Sequence, residues 1–297
     1  MELSKKQFDV LCTLEKSKKN ISQREIARRT GYSVGTVNKI VAEFNSLGLI
    51  NDGFLTPLGF EALEPYKVKR AVIIAAGFGS RMVPITLNTP KPLVRVHGKR
   101  IIDSLLDALT DAEIPEIYIV RGYLGEQFDQ LLIKYPNIKF IENPGYNEAN
   151  NISSVVCAGE LVKNAYIAEA DLLLSNPELI TKYQYESNYL GIPMEMSNDW
   201  CFSTENGVIK KLMIGGVNCH QMVGISYWTD EDGEKLARDA KEVFKAPGGR
   251  ERYWDQVPLE YRIKNYTVHV RDCTTNDIVE IDTFKELVVI DPSYKID

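Results

Sequence analysis

Two glycines and two cationic residues lie close together after an apolar stretch that ends near residue 75. Gly77 and Gly79 flank a single phenylalanine, Arg81 follows, and Lys91 stands ten residues further on. Glycine accepts backbone angles that other residues avoid, so this turn can bring several N–H groups against one anion. Arginine offers phosphate oxygens a fork of donors, and lysine offers a compact charge. The spacing predicts a site for a polyphosphate ligand.

An apolar strand and a stiff loop are needed to position these groups. Residues 71–75 are apolar and predict a buried strand that leads into the turn. The loop that follows contains Pro84, Pro90 and Pro92. Proline fixes one backbone angle and so lowers the entropy lost when a loop becomes ordered. A strand, a glycine-rich turn and a stiffened cationic loop together favour phosphate binding over a plain strand-to-helix connection.

Length and composition predict a globular protein of two domains. The chain has 297 residues, of which 44% are hydrophobic and 26% charged. The net charge of −6 argues against a protein devoted wholly to nucleic acid, but residues 1–69 hold 11 Lys or Arg against 8 Asp or Glu. The first part of the chain is therefore expected to have a different kind of partner.

The same sequence predicts a cytoplasmic protein without a membrane partner. The first residues interrupt their apolar positions with charges, unlike the apolar core of a signal peptide. No apolar run reaches the ~20 residues that cross a bilayer. Five cysteines without a CxxC pair are typical of reduced thiols, namely Cys12, Cys157, Cys201, Cys219 and Cys273.

Residues 1–66 predict a small helical domain. Ser22 is expected to cap a helix and to form a capping box with Glu25. A turn over 30–33 leads to a second helix over 34–47, and Asp52-Gly53 predicts the turn of a short two-stranded wing. The pattern resembles bacterial winged-helix domains, whose second helix enters the major groove of DNA. The resemblance implies DNA contacts from Arg28, Ser33, Thr36, Asn38 and Lys39, and the alternative is a winged helix used for packing.

From residue 67 to residue 297 strands and helices alternate. This alternation predicts an α/β domain with a Rossmann-like, mostly parallel mixed sheet, and a small antiparallel extension after residue 190. Asp171 and Asp282 each end an apolar strand, and ligands of such sheets lie beyond the carboxyl ends of strands. Two carboxylates beside a polyphosphate site favour Mg²⁺ binding. Glu169 and Glu280 are not expected to be direct ligands.

The motif around the turn resembles that of nucleotidyltransferases which activate sugar phosphates or phosphocholine. It reads Ala-Ala-Gly-x-Gly-Ser-Arg-x-x-Pro-x-Thr from residue 75, followed by Thr-Pro-Lys-Pro-Leu-Val from residue 89. One departure is Arg100 after Gly98-Lys99, where many members have proline. The resemblance implies catalytic roles for Arg81, Lys91, Asp171 and Asp282, with the two aspartates as metal ligands. It implies nucleotide binding by Ala75, Ala76, Gly77, Gly79, Ser80, Arg81, Gly122 and Tyr123.

All three tryptophans lie in the C-terminal half, and two of them stand beside an aspartate. A quaternary ammonium cannot donate hydrogen bonds, so proteins bind it with aromatic faces and a nearby carboxylate. These segments also resemble the corresponding stretches of bacterial phosphocholine cytidylyltransferases over roughly residues 70–290. That resemblance implies CTP and phosphocholine as substrates, bound on the acceptor side by Trp200, Tyr227, Trp228, Trp254 and Asp255.

Two other functions remain open at the level of sequence. One is a nucleotidyltransferase for a sugar phosphate or for another phosphorylated alcohol or amine. The other is a winged-helix transcription regulator whose second domain senses a nucleotide or metabolite. The joint presence of Arg81, Lys91, Asp171 and Asp282 favours an enzyme, because a sensor does not need metal-binding aspartates.

Overall fold

The structure is a computed structural model that describes residues 2–17 and 19–295. The chain divides into two compact units. The first contains the residues up to Lys67 together with Tyr183–Tyr185, and the second contains Val68–Lys182 and the residues from Glu186 onward. The predicted domains, 1–66 and 67–297, differ from these units chiefly in the short segment near residue 184.

The first unit is a winged helix-turn-helix. Its elements are helices α1 (Lys5–Lys16), α2 (Gln23–Thr30) and α3 (Val34–Ser46), strands β1 (Ile50–Asn51) and β2 (Phe54–Leu55), and helix α4 (Pro57–Leu63). Each helix begins at a Ser or Thr whose side chain accepts a backbone N–H. Asp52 and Gly53 both have positive φ, 50° and 82°, as the tight turn of a β-hairpin requires.

The capping box predicted at α2 is only half formed. Ser22 accepts the N–H of Glu25 at 3.2 Å, as predicted. The Glu25 carboxylate instead accepts hydrogen bonds from Arg28 and Arg29, which lower the pKa of Glu25 to about 2. Two guanidinium groups therefore outcompete the single backbone N–H that the box would satisfy.

A segment from far along the chain completes the core of the first unit. The ring of Tyr185 stacks on Tyr66 with centroids 5.5 Å apart and lies 5.4 Å from the ring of Phe8. Its hydroxyl donates to the carbonyl of Leu3 at 3.0 Å. Nothing in the local sequence pattern indicated that the helical domain would use residues more than 100 positions away.

The second unit is built on a mixed, mostly parallel sheet. The strands and helices of this unit are β3 (Arg70–Ala75), β4 (Arg95–Val96), β5 (Lys99–Arg100), α5 (Ile101–Asp111), β6 (Glu116–Arg121), β7 (Ile138–Glu142), α6 (Ile152–Ala158), β8 (Ala165–Glu169), β9 (Leu172–Leu174), β10 (Asn188–Glu205), β11 (Val208–Trp228), α7 (Asp230–Lys245), β12 (His269–Asp272), β13 (Ile278–Glu280) and α8 (Phe284–Ile290). The spatial order of the sheet is β10–β12–β11–β8–β3–β6–β7, and β3 pairs in parallel with both β6 and β8.

Helices cover both faces of the sheet. Ile73 and its neighbours on one face pack against α5, whereas Val72 and its neighbours pack against α6 and α7. Successive residues of a strand point to opposite faces, so a strand buried on both sides reads as a continuous apolar run. This explains the uninterrupted apolar sequence before the glycine-rich turn.

Two predicted elements take a different form. In the α/β unit, where regular strands and helices are predicted to alternate, the segment after β6 is a 3₁₀ helix, Gly125–Ile133, and the guanidinium of Arg121 donates to the carbonyl of Gly125 at 3.0 Å. The strand predicted to run through Asp171 ends at Glu169, and the chain turns before β9. β9 then pairs with β13 in a separate two-stranded sheet, which brings the residues after β13 close to Asp171.

No helix of the described residues is both long enough and apolar enough to span a membrane.

Replacing Tyr185 by alanine should destabilise the first unit by about 2–4 kcal/mol, because a large aromatic contact is lost. The three tryptophans lie in the second unit, so their fluorescence follows that unit. Hydrogen exchange of the α1 amides reports on the stability of the first unit. As urea is added, the α1 amides of Y185A should exchange faster than those of the parent. The urea midpoint of the tryptophan fluorescence transition should stay unchanged. Y185F, which loses only the hydroxyl, is the control, and equal exchange in Y185A and the parent would contradict the contribution of Tyr185.

Candidate active site

The glycine-rich turn follows β3 at the carboxyl edge of the sheet. Gly79 has a φ of 63°, and a Cβ there would lie 3.0 Å from Lys91 Cβ and 3.1 Å from Thr86 Cγ2. The hydroxyl of Thr86 donates to the carbonyl of Gly79 at 2.8 Å. Gly79 is therefore required both for its backbone angle and for the close approach of the loop.

A cavity of about 360 Å³ opens beside this turn. Its wall joins the turn to the cationic loop and to both predicted metal ligands, and it includes Ala75, Gly77, Gly79, Ser80, Arg81, Lys91, Asp171 and Asp282. Residues from three distant parts of the sequence thus face one space. Its size and charge suit a nucleoside triphosphate better than a single phosphate.

Lys91 lies at the centre of the charged groups. Its Nζ donates to Asp171 Oδ2 at 2.6 Å and to Asp282 Oδ1 at 2.8 Å, and Arg81 contacts the other oxygen of Asp282. Burial would lower the pKa of Lys91, but the two carboxylates hold that pKa above its usual value. The ammonium is therefore charged, and it keeps two like-charged carboxylates together.

A group of three carboxylates lies next to this centre. Oxygens of Glu169, Asp171 and Glu280 lie within 4.8 Å of one another. Asp171 Oδ1 is buried and has no hydrogen-bond partner among the described residues. An unpartnered anionic oxygen beside two further carboxylates is the donor set that Mg²⁺ prefers. Glu169 and Glu280 thus lie closer to the predicted metal position than the sequence analysis expected.

A second cavity, of about 120 Å³, adjoins the first. It shares Arg81, Glu169, Tyr253 and Asp282 with the larger cavity, and adds Trp200 and Asp255. Asp255 is 3% exposed, burial raises its pKa to about 6, and its Oδ1 has no hydrogen-bond partner among the described residues. This small, carboxylate-rich space favours a cationic ligand.

The two aromatic residues at this cavity are Trp200 and Tyr253. Their rings meet edge to face with centroids 5.8 Å apart, and both line the cavity. Tyr253 was missed in the sequence analysis, which favoured its neighbour Trp254. These residues lie at a turn that leads into a helical segment, and there Trp254 is buried in the core whereas Tyr253 is 42% exposed and faces the cavity. The Tyr-Trp-Asp order was the available signal.

The predicted acceptor contacts of Tyr227, Trp228 and Trp254 have no support in the structure. These side chains are 3%, 0% and 1% exposed and belong to the hydrophobic core. The indole of Trp228 donates to Ser226 Oγ at 2.8 Å, and the hydroxyl of Tyr227 donates to Asn164. Burial of large apolar rings between sheet and helices outweighs what an exposed aromatic wall could contribute.

Gly122 and Tyr123, predicted to bind nucleotide, instead support the turn. Tyr123 donates to the carbonyl of Thr86 at 2.9 Å, and its ring lies 5.1 Å from that of Phe78. A Cβ on Gly122 would lie 2.6 Å from the ring of Tyr146. Phe78 itself is 46% exposed at the cavity wall and was not predicted.

The predicted DNA-binding residues lie in the first unit, on α2, on α3 and at the start of α3. Arg28, Ser33, Asn38 and Lys39 are exposed, and Thr36 is partly exposed. Ser33 accepts the N–H of Thr36 and thereby caps α3. The guanidinium of Arg28 donates two hydrogen bonds to the carboxylate of Glu25. This carboxylate offsets part of the positive charge that Arg28 would offer to a phosphate.

Asp171→Asn and Asp282→Asn should each reduce kcat by about 10²–10³-fold, because each removes a charge that the cationic centre and a metal would use. Pyrophosphate release in the presence of a nucleoside triphosphate, a phosphorylated acceptor and Mg²⁺ measures the effect. Asp129→Asn is a matched control, since Asp129 is an exposed carboxylate paired with Arg121. Near-normal turnover in either site variant would remove that aspartate from the site.

The geometry agrees with two family models. Residues 71–187 match the MobA-like NTP transferase domain, and residues 3–51 match the winged helix-turn-helix DNA-binding family. Similar curated proteins include a 2-aminoethylphosphonate cytidylyltransferase from Lancefieldella rimae, 35% identical over 75% of this chain and 92% of that protein. A choline-phosphate cytidylyltransferase from Haemophilus influenzae is 33% identical over 73% of this chain and 93% of that protein.

A solved structure extends the similarity to the fold. The CTP:phosphocholine cytidylyltransferase from Streptococcus pneumoniae matches with a TM-score of 0.71 and 29% sequence identity, over 77% of this chain and 100% of that one. These matches cover 92%, 93% and 100% of the three similar proteins. The chain therefore belongs to the cytidylyltransferase family of nucleotidyltransferases, with a MobA-like NTP transferase domain preceded by a winged helix-turn-helix domain.

Proposed function

We propose that this enzyme transfers CMP from CTP to a small phosphate or phosphonate that carries an ammonium group, with phosphocholine as the predicted acceptor. The observation that carries the proposal is the junction of two cavities. Arg81, Glu169 and Asp282 line both the cavity at the phosphate-binding turn and the small cavity with Trp200 and Asp255. A phosphoryl group at the junction has the triphosphate on one side and a cation-binding pocket on the other.

Charge neutralisation and positioning account for most of the catalysis. In nucleotidyl transfer an anionic oxygen of the acceptor attacks the α-phosphorus of CTP in line with the departing pyrophosphate, so two anions must meet. Backbone N–H groups of the turn and Arg81 hold the triphosphate and stabilise pyrophosphate as it leaves. Lys91 neutralises charge at the transferred and attacking phosphates. No general base is needed, because the attacking oxygen is already ionised.

Mg²⁺ fits the residues present. Asp171 and Asp282 would hold the ion, with Glu169 and Glu280 near enough to Asp171 to contribute oxygens. When bound, Mg²⁺ supplies charge stabilisation to the phosphate oxygens. The unpartnered Asp171 Oδ1 is the feature of this chain that favours a cation there.

Aromatic faces favour phosphocholine in the small cavity. Trp200 and Tyr253 present rings at its wall, and Asp255 and Glu169 contribute carboxyl groups. Burial raises the pKa of both groups, and a bound cation would favour their ionised forms. A trimethylammonium group gains from ring faces and carboxylates without needing hydrogen-bond acceptors.

A second acceptor, 2-aminoethylphosphonate, is favoured by one specific observation. The buried Asp255 Oδ1 has no hydrogen-bond partner among the described residues, and leaving such an oxygen unpaired costs about 1–3 kcal/mol. A primary ammonium has three N–H donors and satisfies this oxygen, whereas a quaternary ammonium has none.

A panel of acceptors distinguishes the two candidates. With CTP and Mg²⁺, phosphocholine should exceed phosphoethanolamine by roughly 5- to 30-fold in kcat/KM if cation–π attraction decides. Trp200→Ala should then raise the KM for phosphocholine more than the KM for CTP. A preference for 2-aminoethylphosphonate and phosphoethanolamine assigns the primary amine instead. Robust activity with glucose 1-phosphate, or none with any amine, contradicts the ammonium acceptor.

We also propose that the first unit binds double-stranded DNA through α3. Asn38 and Lys39 are exposed on this helix, the second of the helix-turn-helix. The support is a fold that matches a DNA-binding family and a surplus of positive charge in the first 69 residues. The surplus is small, so phosphate contacts are expected to be few.

Lys39→Ala in the full chain should weaken binding to duplex DNA and reduce the slope of log affinity against log salt by about one, because one phosphate contact is lost. Gel shifts or fluorescence anisotropy across a range of salt concentrations measure this slope. Lys210→Ala, an exposed lysine of the second unit, is the control. Absence of any shift at low salt would leave packing as the role of the winged helix.

A further inference from the structure

Asn150 and Asn151, the two residues before α6, form hydrogen bonds to the loop that contains Glu251 and Trp254. The N–H of Asn150 donates to the carbonyl of Arg250 at 2.7 Å, and its side-chain amide donates to the carbonyl of Glu251 at 3.2 Å. Asn150 Oδ1 in turn accepts the N–H of Asn151 at 2.7 Å. The loop that leads to Tyr253 and Asp255 is therefore fixed to the start of α6.

The side chain of Asn151 joins this loop to the floor of the small cavity. Its Oδ1 accepts the backbone N–H of Trp254 at 2.9 Å, and its Nδ2 lies 3.4 Å from Glu169 Oε1, to which it donates. Trp254 is 1% exposed, so its indole is anchored in the core. Holding both its side chain and its backbone fixes the directions of the flanking Tyr253 and Asp255.

Asn151 does not serve the helix that it precedes. It occupies the N-cap position of α6, where asparagine ordinarily accepts an N–H of the first turn. Its side chain makes no such bond, and its backbone is helical, with φ −62° and ψ −12°. Giving up a cap forgoes about 1 kcal/mol, which indicates that the amide is used elsewhere.

We propose that Asn151 is a positioning residue that sets the geometry of the acceptor pocket. It acts through Trp254 on Tyr253 and Asp255, and through its N–H on the carboxylate of Glu169. The two contacts use the two ends of one amide, because its oxygen accepts from Trp254 and its nitrogen donates to Glu169. The inference rests on the proposed function, because it assigns the small cavity to the acceptor.

Steady-state kinetics of the full-length enzyme separates this role from a general structural one. Asn151→Ala should raise the KM for the preferred acceptor by roughly 5- to 100-fold, the range for one or two lost hydrogen bonds. Asn151 also lines the larger cavity, so the KM for CTP is measured in parallel and should rise clearly less than the KM for the acceptor. The melting temperature should change little. Asn151→Asp keeps the acceptor for Trp254 but replaces the donor to Glu169 by a second carboxylate, so its acceptor KM should also rise. Asn137→Ala, an exposed asparagine before β7, is the control.

A double-mutant cycle tests whether Asn151 acts on the acceptor through Asp255. If Asn151 acts by positioning Asp255, the effect of Asn151→Ala on acceptor KM should shrink at least threefold in an Asp255→Asn background. Equal effects in both backgrounds, or an unchanged acceptor KM in both Asn151 variants, would overturn the proposal. Phosphocholine and 2-aminoethylphosphonate serve as the two probes. Failure of the parent enzyme with every ammonium acceptor would instead contradict the proposed function itself.

Discussion

The contact of one lysine with two aspartates connects the separate parts of the catalytic unit. Lys91, Asp171 and Asp282 come from three segments that are 80 and 191 residues apart in the chain, yet the two carboxylates share a single ammonium. Two partly buried carboxylates repel each other, and the charge of Lys91 offsets that repulsion. Removing the lysine would leave Asp171 without this cationic partner and Asp282 with Arg81, in a partly buried position, which is more costly than losing an exposed ion pair.

The sheet makes this contact possible. β3 and β8 are parallel neighbours, so the turn after β3 and the carboxylates after β8 lie at the same edge. Asp282 arrives by another route, because β13 pairs with β9 and not with the main sheet. Because β8 ends at Glu169, the chain turns there, and the following strand β9 pairs with β13.

The lining of the small cavity is determined by which aromatic residues are buried in the core and which remain at the cavity wall. Trp228 and Trp254 pack in the core, whereas Trp200 and Tyr253 remain at the wall of the small cavity. The negative groups around that cavity are costly to keep ionised without a counter-charge, and burial accordingly raises the pKa of Asp255 to about 6. Under the proposed function, a cationic acceptor would supply the missing charge, and the affinity of the small cavity would then depend on the acceptor more than on the nucleotide.

The sequence by itself determined the phosphate turn, the alternation of the α/β unit and the winged helix-turn-helix. These features depend on local properties, namely glycine angles, apolar periodicity and helix caps, which a short window contains. It also pointed to Asp171 and Asp282, since strand ends in such a sheet gather at one edge. Only the tertiary structure decided which aromatic residues face the acceptor cavity, that Glu169 and Glu280 join Asp171, and that Tyr185 completes the first unit. Each of these depends on contacts between residues distant in sequence, and a side chain's environment is set by what packs against it rather than by its neighbours in the chain.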